Sequence, residues 1–272
     1  MLEALQFEFM RNALLAGILV SLSCGIIGSL VVVNRMVFIS GGVAHAAYGG
    51  IGIAYFLRQN PVVGAIIFSI FSAMGMGWLQ RRMKERADTL IGVLWAVGMA
   101  IGIIFLDLTP GYKTDLMSYL FGSILAVPQG DLWLMAAIDV MIMGFVIGFY
   151  KPLLALSFDE TFATIRNLPV EFLYLAMMAA IALTVGMMMK VVGLIMVIAL
   201  LTIPAAISGQ YVKDLKMMMV IASALGMVFT TLGLGLSYFL NLTSGATIIL
   251  VASLTYFGQL FGSKYHRFFG KV

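Results

Sequence analysis

The sequence predicts an all-α polytopic membrane protein of about nine transmembrane helices plus a re-entrant half-helix, and three observations carry that expectation. The first is composition. The 272-residue chain is 62% hydrophobic and only 10% charged, with a mean hydropathy of +1.08. A soluble domain carries about 25% charged residues, and a globule of this size must still cover its surface with polar groups. The second is pattern: apolar runs continue unbroken over helix-spanning lengths, without the period-two alternation of a β-barrel. The third is charge placement, because the basic residues fall in the connectors between runs.

The apolar segments lie near residues 12–33, 40–57, 61–79, 89–107, 131–150, 170–189, 191–208, 216–239 and 244–262. A further segment, 117–127 (MSYLFGSILAV), is too short to span and ends at PQGD. It reads as a half-helix on one face, tolerable only where protein or a cavity shields its backbone. Basic residues cluster in QRRMKERAD (80–88), in 151–169, in 209–216, in the 263–272 tail and at Arg35. Placing all of these in the cytoplasm leaves only Arg11, Arg58, Lys113 and Lys190 outside. That is the asymmetry of the positive-inside rule, and its parity puts the N-terminus outside and the C-terminus in the cytoplasm. The formal charge of +4 is thereby a topological signal, and no nucleic-acid partner is expected. The leading segment lacks a basic n-region and a cleavage site, so no removable signal peptide is expected.

The segment KPLLALSFDETFATIRNLP (151–169) is the main polar interruption. Ser157 and Glu160 have the spacing of a capping box, which predicts a short helix starting there, with Pro169 stopping it. Such a helix is either a docking element or an ordinary amphipathic connector.

Little in the chain can carry covalent chemistry. Two histidines, one in the charged tail, leave no material for a catalytic triad. No GxxxxGK[ST] motif is present, so any ATP-driven process needs a separate nucleotide-binding subunit. The single cysteine, Cys24, excludes an intramolecular disulfide and reads as a small buried apolar residue. The methionine runs 187–189 and 217–219 are consecutive, so they spread around a helix and act as flexible filler.

His45 is the only histidine within a span. It reads either as a side chain bonded to a neighbouring helix carbonyl or as a weak metal contact or gate, since imidazole is a common metal ligand. Gly42, Gly49 and Gly52 recur at helical spacing around it and predict close helix packing. Asp139 is the other ionisable residue deep in a span, open to cation attraction or to a structural hydrogen bond.

Several stretches resemble one family in order along nearly the whole chain. These are RNALLAG (11–17), GSLVVVNRM (28–36), the His45 helix, ADTLIGVLWAVGMAIG (87–102), YLFGSIL (119–125), SFDETFA (157–163) and VVGLIMVIALLTIPAAISG (191–209). They are similar to the ABC-3 metal-uptake permeases, which include zinc and manganese permeases. The resemblance implies a type II ABC importer-like permease, one transmembrane domain over 1–272, related to the cobalamin and iron-siderophore importers but lacking their first helix. It implies a homodimer in the lipid of a bacterial or archaeal cytoplasmic membrane, with two cytoplasmic ABC ATPase subunits and an extracytoplasmic metal-binding protein. The chain would then be no enzyme, would hold no tightly bound cofactor, and would pass a divalent metal, zinc or manganese.

By the same resemblance, residues about 157–168 form the ATPase-coupling helix, through Ser157, Phe158, Asp159, Glu160, Phe162 and Ala163. His45 falls on the metal path, with Asp139 as a second candidate. Family members carry an aspartate one turn before this histidine, in D-x-x-S-H; here those positions hold Gly41 and Ala44. The metal contact is then completed elsewhere, or is weak, or the substrate differs. A secondary transporter or channel working without an ATPase is the alternative; the docking helix and the scarcity of intramembrane acids argue against it.

Overall fold

The structure, a computed structural model, describes residues 6–83, 87–110 and 122–269. Among these residues the regular structure is entirely helical: α1 (Glu8–Val33), α2 (Val37–Phe56), α3 (Pro61–Arg82), α4 (Ala87–Leu108), α5 (Gln129–Gly148), α6 (Tyr150–Phe158), α7 (Glu160–Ile165), α8 (Val170–Val192), α9 (Leu194–Tyr211), α10 (Leu215–Leu240) and α11 (Ser244–Phe269). A hydrocarbon interior offers no hydrogen bonds to the backbone, so each spanning segment must satisfy its own amides and carbonyls. Helices α1 to α5, α8, α10 and α11 are long and apolar enough to cross a bilayer. The seventh expected span, 191–208, is shorter: the apolar stretch of α9 is Val197–Tyr211.

The helix ends follow local chemistry. Asn60 accepts from the Val62 amide at 2.9 Å and Pro61 opens α3, a capped start with proline where its missing N–H costs nothing. Asp214 accepts from the Met217 amide at 2.9 Å to start α10, and Asn241 closes that helix in the left-handed conformation. Between α8 and α9 there is no loop. Gly193 alone turns the chain, at φ 84° and ψ 157°, a region essentially confined to glycine.

Helix α1 sits centrally, packing on α10, α9, α5 and α8. Helix α2 lies between α3 and α4, and glycines bring these three backbones together. A methyl group at Gly49 would sit 2.8 Å from the Gly98 carbonyl oxygen, and one at Gly98 would sit 2.7 Å from the Ala46 Cα. At Gly52 it would run into Gly102, and at Gly42 it would lie 2.7 Å from Ile91 Cγ2. Hydroxyls inside the bundle return to their own helices: Ser21 to the Gly17 carbonyl at 2.6 Å, Ser29 to Gly25 at 2.6 Å and Thr184 to Ala180 at 2.9 Å. Cys24 is buried and donates to Met188 Sδ at 3.1 Å.

Two expectations need correction. The short helix does not start on a Ser157/Glu160 capping box. Ser157 belongs to α6, where its hydroxyl donates to the Leu153 carbonyl at 2.8 Å. Asp159 is the cap of α7, accepting from the amides of Thr161 at 2.8 Å and Phe162 at 3.3 Å. An aspartate in an extended conformation reaches those amides directly. Nor does Pro169 stop the helix: α7 ends at Ile165, Asn167 takes φ 55°, and Pro169 precedes α8. The half-helix expected at 117–127 lies outside the described residues up to residue 121. The rest holds one 3-10 turn, Ile124–Ala126, with Ile124 fully buried.

The Gly193 conformation makes a direct stability test. In the Gly193→Ala variant, a Cβ meets the strained backbone at a cost of about 1–3 kcal/mol. The apparent melting temperature of the purified protein in detergent is expected to fall by several degrees. An unchanged value would show that the α8–α9 turn is not built this way. Gly98→Leu is expected to be worse, giving no monodisperse peak in size-exclusion chromatography.

Candidate functional site: the His45 helix and the docking helix

His45 lies midway along α2 and is half-buried. Its ring stacks on the indole of Trp95 in α4, with centroids 4.3 Å apart and planes 12° from parallel. Trp95 is held in turn: its Nε1–H donates to Met99 Sδ at 3.2 Å, and the Phe38 ring flanks it at 6.5 Å. The close α2–α4 approach allowed by Gly49 and Gly98 puts these rings in register. His45 Nδ1 is buried and accepts or donates no hydrogen bond among the described residues. Nδ1 therefore makes no bond to a helix carbonyl among the described residues, and the ring packs by stacking on Trp95.

One turn earlier, Gly41 faces α9. A methyl group there would sit 2.8 Å from Ile198 Cδ1, so an aliphatic side chain packs against this position. Ala44 is fully buried. Asp139 is brought to a different neighbour. It lies on α5, is 2% exposed, and its Oδ1 accepts from the Ser23 hydroxyl of α1. Its Oδ2 has no hydrogen-bond partner among the described residues. No described hydrogen bond or ring contact joins Asp139 to His45. Among the described residues no three His, Cys, Asp or Glu side chains converge as a metal cage.

The second functional element is at the end of the bundle that holds the α1–α2 and α3–α4 connectors. Asn34, just after α1, donates to Ser157 Oγ at 2.9 Å, and Arg81 near the end of α3 pairs with Glu160. Helix α7 therefore lies under the bundle, with Ala163 fully buried against it. Its other face is bare. Phe158 and Ile165 are each 76% exposed, and Phe162 is exposed with the Arg166 guanidinium 5.2 Å over its ring. The six residues expected to couple thus divide: Ser157, Asp159, Glu160 and Ala163 hold the helix in place, while Phe158 and Phe162 point away. Ile165 joins the exposed pair; its four- and three-residue steps from its neighbours were available in the sequence. Trp95 and Arg81 carried no such signal, because their roles depend on partners far along the chain.

The chain as a whole is similar to known proteins. The ABC 3 transport family matches residues 6–263. A membrane protein of Synechocystis is 64% identical over 94% of this chain and 91% of its own. The manganese transport system membrane protein MntC of Listeria monocytogenes is 34% identical, covering 98% of this chain and 95% of that one. Among solved structures, PsaBC from Streptococcus pneumoniae in complex with Fab superposes with a TM-score of 0.85 at 31% identity, over 94% of this chain and 92% of that chain. With its family model matched over residues 6–263 and relatives at 34% identity along nearly its whole length, the chain belongs to the ABC 3 transport family.

Proposed function

We propose that this chain is the membrane permease subunit of an ATP-driven importer for a divalent transition metal, manganese before zinc. The observation that carries this reading is the family match across residues 6–263, joined to relatives named for manganese transport at 34% identity. Hydrolysis belongs to a separate ATPase, as the missing P-loop requires. The basic connectors Arg35, Arg81, Arg82, Lys151, Arg166 and Lys213 then face the cytoplasm, which sets the N-terminus outside.

Two copies of the chain enclose the path. Helix α4 supports a pairing face, for Val93, Val97 and Ile104 are exposed on it, and the same helix carries Trp95 against His45. An extracytoplasmic binding protein delivers the metal to that path. His45 is a transient contact, and one imidazole suits a pathway that must release what it binds. Stacking on Trp95 limits rotation of the ring, so the ligand is presented in one orientation. Asp139 lies against α1, where a carboxylate with an unpartnered oxygen attracts cations toward the bundle interior. Phe158, Phe162 and Ile165 form the apolar contact that an ATPase groove covers.

Three outcomes test this. The complex reconstituted with its ATPase and binding protein takes up manganese, and His45→Ala lowers the rate by about tenfold, the effect of losing roughly 1.4 kcal/mol of transition-state contact. Uptake at the wild-type rate would make His45 a packing residue. Phe158→Ala combined with Ile165→Ala removes exposed apolar anchors worth about 2 kcal/mol or more at an interface centre. Co-purification of the ATPase is expected to be lost. Gly41→Asp places a carboxylate one turn from His45, its Cβ meeting the flexible end of Ile198 at 2.8 Å. Half-saturation of uptake is expected to shift to about tenfold lower manganese, read from transport at graded metal concentration.

A further inference from the structure

We infer that Arg81 is the positioning residue through which movement of the α7 docking helix enters the transmembrane bundle. This rests on the permease reading above and specifies the route of its coupling. Arg81 Nη2 pairs with Glu160 Oε1 at the start of α7. Because Asp159 provides the cap of that helix, the Glu160 carboxylate is released from capping and reaches across to α3.

The other side of the guanidinium is equally constrained. Arg81 lies 5.0 Å from the centroid of the Tyr174 ring of α8. Its Nη1 is buried with no hydrogen-bond partner among the described residues. Tyr174 donates its hydroxyl to Gln80 Oε1, one residue before Arg81. The cation is thus held between a docking-helix carboxylate and an α8 ring that is itself tied to α3. From there the contacts continue along α3. Helix α3 meets α2 where Gly64 and Gly50 bring the two backbones together, and α2 carries His45.

The pair is poorly suited to a stabilising role. The two side chains are 29% and 58% exposed, and exposed ion pairs add little in water. An ATPase seated on Phe158, Phe162 and Ile165 covers this edge and removes water. The same charges then interact in a lower dielectric and move together. The second attachment of this region, Asn34 to Ser157, is on α6 and reaches α1, so it does not substitute for a link from α7 to α3.

The test compares the full complex carrying Arg81→Ala, Arg81→Lys, Arg81→Glu, and Arg81→Glu with Glu160→Arg. Each is checked for a monodisperse peak, co-purification of the ATPase, ATP hydrolysis and manganese uptake. The expected result is that Arg81→Ala keeps assembly and hydrolysis while uptake per ATP falls about fivefold or more. Arg81→Lys retains most of the coupling, and the charge-reversed pair recovers what Arg81→Glu loses. Wild-type uptake per ATP in Arg81→Ala would overturn the inference. So would loss of ATPase binding in Arg81→Ala, which would make the residue a docking contact, or failure of the reversed pair to exceed Arg81→Glu. Failure of the wild-type chain to bind any ATPase would instead overturn the functional reading, and the route with it.

Discussion

Everything in this molecule depends on a solvent that accepts no hydrogen bonds. In hydrocarbon an unsatisfied amide or carbonyl costs several kcal/mol, so the chain crosses only as helix and its hydroxyls turn back onto their own carbonyls. Ser21, Ser29 and Thr184 do this in the core. Side-chain polarity that does not turn back is then informative. Ser23 reaches Asp139 on another helix, and His45 stacks on an indole face while its Nδ1 has no partner among the described residues.

The same solvent removes the hydrophobic drive between helices, because lipid tails are as apolar as leucine. Association must come from close packing. The glycines on α2, α3 and α4 supply it, and the surface left by their missing side chains is where the site forms. Gly49 and Gly98 bring α2 against α4, and that approach aligns His45 with Trp95. Packing and function are consequently hard to separate in this region: a side chain added at Gly98 would displace the histidine as well as the helix.

At the opposite extreme of the fold, α7 uses water-facing chemistry. An aspartate cap, an ion pair and one buried alanine hold a helix of less than two turns. A helix this short is not stable alone. It exists because the Asp159 cap and the burial of Ala163 support it, and that support leaves Phe158, Phe162 and Ile165 uncovered. A rigid underside with an apolar outer face is what a partner that pulls or pushes on the bundle needs.

Hydropathy alone determined the membrane class and the positions of nearly all the spans, because each depends on consecutive residues in one solvent; the coupling residues at 157–163 came from the family resemblance. Hydropathy also singled out His45 and Asp139, since an ionisable group within an apolar run is visible without any partner. Tertiary structure decided what those groups touch. Trp95 is fifty residues from His45, and Ser23 is on another helix from Asp139, so neither pairing has a local signature. The capping box at Ser157 was misread for the same reason: the motif was present, but α6 extends through Ser157, and Asp159 in an extended conformation had the better reach to the free amides. Spacing along a chain states which contacts are available. Only packing selects among them, because helices distant in sequence compete for the same faces.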